Sequence, residues 1–138
     1  MDVARKVVLL GREIGLSLSL EDVAVESLVP DDLQAGSVET FLDRLAEHDE
    51  RMTAILRKAR ENNQVLRFVG SVDRDGTASV KLRRYDADHS FARINHTDNI
   101  VQFRTQRYNT NPLIVQGPGA GPEVTAAGVF ADLLRVPS

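Results

Sequence analysis

Apolar positions near the N-terminus recur at helical spacing. Val3, Val7, Leu10 and Ile14 fall on one face, and Gly15 supplies a stop. Asp2 is the only residue upstream that could cap this helix, so the helix is expected to continue from a longer chain. From Val23 to Val29 the residues read as an extended stretch, closed by Pro30 and the acidic turn Asp31-Asp32. Ser37 then caps a long helix expected over 38–62, with Val38, Phe41, Leu42, Leu45, Met52, Ile55, Leu56 and Ala59 as its apolar stripe.

After Gln64 the period changes from 3.6 to 2. Two alternating runs, 65–72 and 77–83, flank Asp73-Arg74-Asp75-Gly76, which predicts a hairpin. A third strand is expected over 99–105, after an irregular link that holds His89, Phe91 and His96. A fourth, 113–116, runs into Gly117-Pro118-Gly119-Ala120-Gly121, and a last helix follows over 123–134. The expected class is α+β: a mostly antiparallel or mixed sheet of about four or five strands, with two or three helices packed on one face.

The composition narrows what such a fold can do. At 138 residues, 42% hydrophobic and 27% charged, the chain is the size and polarity of one globular domain. It has no apolar run long enough to span a bilayer and no signal-peptide pattern at its start, so no membrane partner is expected. The absence of cysteine excludes disulfides, thiolate metal sites and a cysteine nucleophile, and fits a reducing cytoplasm. Residues 1–63 carry 8 basic and 13 acidic side chains, and residues 64–138 carry 9 and 7. Neither part has the basic stripe that phosphate backbones require, so nucleic acid is excluded as a partner.

Three groups of residues could carry chemistry. Asp2 and Lys6 are four apart and share a helix face, the spacing of an ordinary surface ion pair. Gly117-Pro118-Gly119-Ala120-Gly121 lies between a strand and a helix, where glycine permits close backbone approach and the helix start offers free N–H groups. Its spacing is not the dinucleotide fingerprint, and a turn with no ligand is the plain alternative. His89 and His96, seven apart in a link without a carboxylate pattern, read as surface histidines, and no metal site is expected.

In order along the chain, however, these segments resemble one family. Asp2-Val3-Ala4-Arg5-Lys6, Asp88-His89-Ser90-Phe91, Asp98-Asn99, the run from Asn111 to Gly121, and Val124-Thr125-Ala126-Ala127-Gly128 with Asp132 are similar to homoserine dehydrogenase. The likeness is greatest to the C-terminal region of the bifunctional aspartokinase–homoserine dehydrogenases, and it covers essentially the whole chain.

The resemblance implies reversible oxidation of L-homoserine to L-aspartate 4-semialdehyde with NADP or NAD, in threonine and methionine biosynthesis. It implies Lys6 as the general acid/base at the reacting oxygen and Asp2 as a holder of the amino-acid substrate. Gly119, Gly121 and Thr125 match the family's approach to the nicotinamide end of the cofactor, and His89 matches a histidine near the active-site cleft. Residues 1–119 would belong to the catalytic and dimerisation domain. Residues 120–138 would form the glycine turn and a helix that packs on a nucleotide-binding domain.

That nucleotide-binding domain and a second active-site lysine are not in this sequence, and Ser90 stands where the family commonly carries proline. The expectation is therefore a piece of the enzyme, inactive alone and a homodimer or larger self-associate. The competing reading is a dimerisation or binding module without chemistry. A regulatory ligand-binding domain would need a repeated βαββαβ pattern that the sequence lacks.

Overall fold

The computed structural model describes residues 1–95 and 97–136, so His96 of the link lies outside the described residues. The class is the expected α+β, and the chain divides into two compact units, Met1–Ala92 and Arg93–Ser138.

In the first unit, α1 (Asp2–Glu13) lies over a three-stranded sheet ordered β1-β3-β2, built from β1 (Val23–Val25), β2 (Gln64–Val72) and β3 (Ala78–Asp86). The hairpin forms as its turn residues demand: β2 and β3 pair antiparallel from Gln64↔Asp86 to Val72↔Ala78. Gly76 takes φ +90° between them, a conformation glycine adopts without strain. Of the extended stretch 23–29, only three residues pair, parallel to β3.

The core of this unit is Ala4, Val7 and Val8 of α1 against Leu18, Val23, Ala78 and Val80, with Phe68 and Val72 packed on its margin. The buried face of α1 is thus Ala4-Val7-Val8-Gly11, rotated from the expected stripe, and Ile14 is exposed. Small residues line this face because the helix sits close. A Cβ on Gly11 would overlap the Leu18 side chain, and one on Gly70 of β2 would overlap Val7 and come within 3.1 Å of Val3 Cγ1.

Gly70→Ala is therefore expected to push α1 off the sheet and cost about 1–3 kcal/mol, the usual range for overpacking a filled core. Denaturant titration reads this directly, and an unchanged midpoint would show that the helix does not seat on Gly70.

The helix expected over 38–62 is broken. It forms α2 (Val38–Arg44), a 3-10 turn (Leu45–His48) and α3 (Asp49–Glu61). The break falls where the apolar stripe lapses, since no large apolar residue lies between Leu45 and Met52. Ser37 does cap α2, its hydroxyl accepting from the Thr40 N–H at 3.2 Å. The stripe is far less buried than its periodicity implies. Val38 and Leu42 are exposed and only Ala59 is fully enclosed. Val80 and Leu82, two apart on β3, point to one face of the sheet. Val80 packs under α1 and Leu82 lies by Met52 and Ile55 of α3, so both helices cover that face.

In the second unit, β4 (Asp98–Phe103) and β5 (Leu113–Pro118) pair antiparallel as a separate two-stranded sheet, followed by α4 (Pro122–Arg135). The five strands among the described residues thus fall in two sheets. Gly117 and Pro118 belong to β5, which leaves Gly119-Ala120-Gly121 as the turn proper.

Candidate functional site

Lys6 and Asp2 meet on the outward side of α1. Lys6 Nζ lies 3.0 Å from Asp2 Oδ2, with side chains 55% and 75% exposed. As a surface ion pair this is worth about 0.2–0.5 kcal/mol. The helix beneath is held by its buried small face, so both side chains leave a fixed support and end at one point. With both side chains open to solvent, the lysine can release a proton as its ammonium and take one up as its free amine, and the carboxylate can hold a cationic group.

Gly121 and Thr125 come together in the second unit, with Gly119 two residues before Gly121. Gly121 is the N-cap of α4, with φ +126° and nothing within 4 Å of the place a Cβ would occupy, and Pro122 opens the helix. This is a position that conformation reserves for glycine. Thr125 donates its hydroxyl to the Gly121 carbonyl at 2.8 Å, and its N–H reaches the same oxygen at 3.1 Å. The threonine proton is thereby committed to holding the turn, and its oxygen lone pairs remain for a ligand. Proline at the first helical position removes one N–H, so the forward-pointing donors are those of Glu123 and Val124.

His89 sits in the first unit with Lys6 and Asp2, inside an aromatic trio. Its ring centroid is 4.5 Å from Tyr85 and 5.0 Å from Phe91, and Tyr85 meets Phe91 edge-on at 5.1 Å. The Phe91 N–H donates to His89 Nδ1 at 3.1 Å, so the neutral ring carries its proton on Nε2 and offers a donor there. The backbone that makes this bond is gripped by Arg67, which donates to the carbonyls of Phe91 at 2.9 Å and Ala92 at 2.8 Å. Sequence reasoning passed over Arg67. Its one signal is a lone charge inside Val65-Leu66-Arg67-Phe68-Val69, a strand otherwise apolar there.

A further cluster, Asp32, Glu47 and His48, brings three potential ligand atoms within 4.8 Å of one another. Arg44 occupies it: its guanidinium donates to Asp32 at 2.9 Å and to Glu47 at 3.0 Å. His48 Nε2 stands 3.4 Å from Asp32 Oδ1 without making a hydrogen bond. With its acids already answered by a cation, the cluster is an ionic tie. It joins the turn Asp31–Leu33 to the break between α2 and α3 and helps hold that break.

The profile of the homoserine dehydrogenase family matches residues 1–134. The chain is 49% identical over 98% of its length to an Arabidopsis thaliana protein named bifunctional aspartokinase/homoserine dehydrogenase 1, chloroplastic, of which it spans 15%. It is 46% identical over 99% of its length to homoserine dehydrogenase of Paracoccidioides brasiliensis and spans 37% of that protein. Against the Saccharomyces cerevisiae homoserine dehydrogenase the figures are 41%, 99% and 38%. A crystal structure of a Candida auris protein of unknown function superposes with a TM-score of 0.88 at 44% identity, over 97% of this chain and 38% of that one. The chain thus spans well under half the length of the relatives it matches.

Proposed function

The chain belongs to the homoserine dehydrogenase family, and from that premise we propose that it supplies the proton-transfer lysine and one cofactor edge of an NAD(P)-linked enzyme that interconverts L-homoserine and L-aspartate 4-semialdehyde. The observation that carries this reading is the Asp2–Lys6 pair, 3.0 Å apart on a helix seated on the sheet.

In the oxidation direction Lys6, in its free-amine form, accepts the substrate hydroxyl proton and becomes the ammonium, while the hydrogen on the same carbon departs as hydride. In reduction Lys6 returns the proton to the forming alkoxide. Asp2 holds the α-ammonium of the substrate. The ammonium of Lys6, resting at hydrogen-bond distance from that carboxylate, offers the same partner chemistry.

A nicotinamide cofactor, when bound, provides the hydride acceptor or donor. The second unit fits one edge of such a group, because no Cβ blocks Gly121 and the N–H groups of Glu123 and Val124 point forward. Gly119, Gly121 and Thr125 would form that edge. His89, with Nε2–H as donor, would line the substrate cleft. NADP and NAD both satisfy this reading.

In a complete enzyme carrying this chain, homoserine-dependent reduction of NADP or NAD is the test, and an enzyme that turns over neither overturns the reading. The 138-residue chain alone is expected to be inactive and to bind NADP more weakly than micromolar, since one glycine edge supplies few of the contacts a dinucleotide needs. Calorimetry giving micromolar affinity or better would contradict this.

A second, assembly role is supported by exposed apolar residues on α4, among them Phe130 and Leu134. We propose a homodimer or larger self-associate. The cysteine-free sequence suits the cytoplasm, the compartment we propose, although the plant relatives carry chloroplastic in their names. No described helix is long and apolar enough to cross a membrane.

A further inference from the structure

We propose that Asn99 is the positioning residue of the glycine turn: its side chain seats on Gly119 and sets the backbone edge offered to the nicotinamide cofactor. The cofactor half of this statement rests on the function proposed above. The clamp itself rests on the geometry of β4 and β5.

Gly119 and Gly121 are glycine for different reasons. Gly121 needs its left-handed φ, but Gly119 is absent from the positive-φ residues, so any residue could adopt its backbone. What excludes a side chain at 119 is Asn99. A Cβ there would overlap the Asn99 amide nitrogen and stand 2.9 Å from its Cγ. Gly117, which pairs directly with Asn99 in the strand register, has nothing within 4 Å of its Cβ position. The Asn99 side chain therefore leans diagonally past its own partner to the residue two farther along, within the reach of diagonal neighbours in an antiparallel pair.

The same short segment grips the turn twice more. The Gly119 N–H donates to the Thr97 carbonyl at 3.3 Å, and Asp98, opposite Pro118, accepts from Gln116 Nε2 at 2.9 Å. Beyond the strand ladder itself, residues 97–99 thus hold 116–119 by one backbone bond, one side-chain bond and one side-chain seat. Only Ala120 separates Gly119 from Gly121, the N-cap of α4. A displacement at Gly119 is passed on to the free N–H groups at the start of that helix.

The seat is steric, which makes it separable from polar recognition. Asn99→Ala removes it, and Asn99→Leu restores a side chain of similar shape without the amide. In the isotope-labelled chain, NMR is expected to show the Gly119 and Gly121 amide signals moving in Asn99→Ala. Gly119 exchange should quicken about tenfold as its local opening becomes easier. Gly76, in the other unit, should stay fixed. Asn99→Leu should leave Gly119 protected.

In a complete enzyme carrying this chain, Asn99→Ala should raise KM for NADP by about tenfold through the misplaced edge. KM for homoserine and Tm should stay near the parent values, and Asn99→Leu should restore the KM for NADP. If the Gly119 signal and its exchange are untouched in Asn99→Ala, or if Asn99→Leu fails to protect Gly119, the clamp is wrong whatever the turn does. If Gly119 moves as expected and KM for NADP does not, the clamp stands, the reading of the turn as a cofactor edge falls, and Asn99 loses its part in cofactor placement.

Discussion

Alanine in place of Lys6 is expected to lower homoserine-dependent turnover of a complete enzyme carrying this chain by about 10²–10⁴-fold, the usual contribution of a general acid/base. The same change should cost at most about 0.5 kcal/mol of stability, because the side chain is half exposed and makes one surface ion pair. Lys6→Arg separates the two roles. Arginine keeps the positive charge and can still pair with Asp2, but it does not give up its proton in proteins. An arginine variant with parental stability and turnover as low as the alanine variant is the expected result. Near-normal turnover in either would reduce Lys6 to an i,i+4 ion-pair partner. Asp2→Ala should differ in kind by raising KM for homoserine as well as lowering kcat, since a lost carboxylate leaves the substrate ammonium without its partner.

How far the sequence could be read depends on how local each determinant is. The hairpin was legible because Asp73-Arg74-Asp75-Gly76 carries its own turn chemistry, and it closes as expected around Gly76. The Asp2–Lys6 pair was legible because four residues on a helix bring two side chains together whatever surrounds them. The face that α1 buries was less so. Its period was right, but Gly11 turns inward because Leu18 passes close to it, and no helical pattern announces a neighbour arriving from the next segment. The break after Arg44 was half legible. The lapse in apolar spacing is visible in Ala46-Glu47-His48, whereas the tie from Arg44 back to Asp32 spans twelve residues and exists only once the chain has folded.

The family likeness was carried by residue types in order, and the profile match over residues 1–134 bears it out. Those types did not reveal what holds the residues in place. Arg67 reaches the carbonyls of Phe91 and Ala92 across more than twenty residues, and Asn99 meets Gly119 only through the register of β4 on β5. Both are supports to residues the motifs did name. A support acts through space, and a motif is read along the chain.

The 138-residue chain is expected to self-associate through α4. Val129, Phe130, Leu133 and Leu134 are 58%, 62%, 64% and 72% exposed, a contiguous apolar surface on one short helix. The largest apolar patch on a monomer is often a contact site. A two-fold contact covers the same patch on both copies. Burying about 300 Å² on each copy makes a contact smaller than the roughly 1,200–2,000 Å² total of standard complexes, so the apolar gain is set against association costs of similar size. The balance favours a dimer, though a dissociable one, so the concentration dependence is part of the expectation. Light scattering should show a dimer that dissociates on dilution. Phe130→Glu with Leu133→Glu should give a monomer at every concentration, as should a chain ending at Gly121. The charged pair is the stricter comparison, because it keeps α4 and removes only its apolar face, and unchanged helix content by circular dichroism would show that the helix survives. A parent chain that stays monomeric at high concentration with α4 intact would mean that the exposed face does not drive association. A dimer that persists in the charged variant would move the contact away from α4, to the unpaired edges of the two sheets.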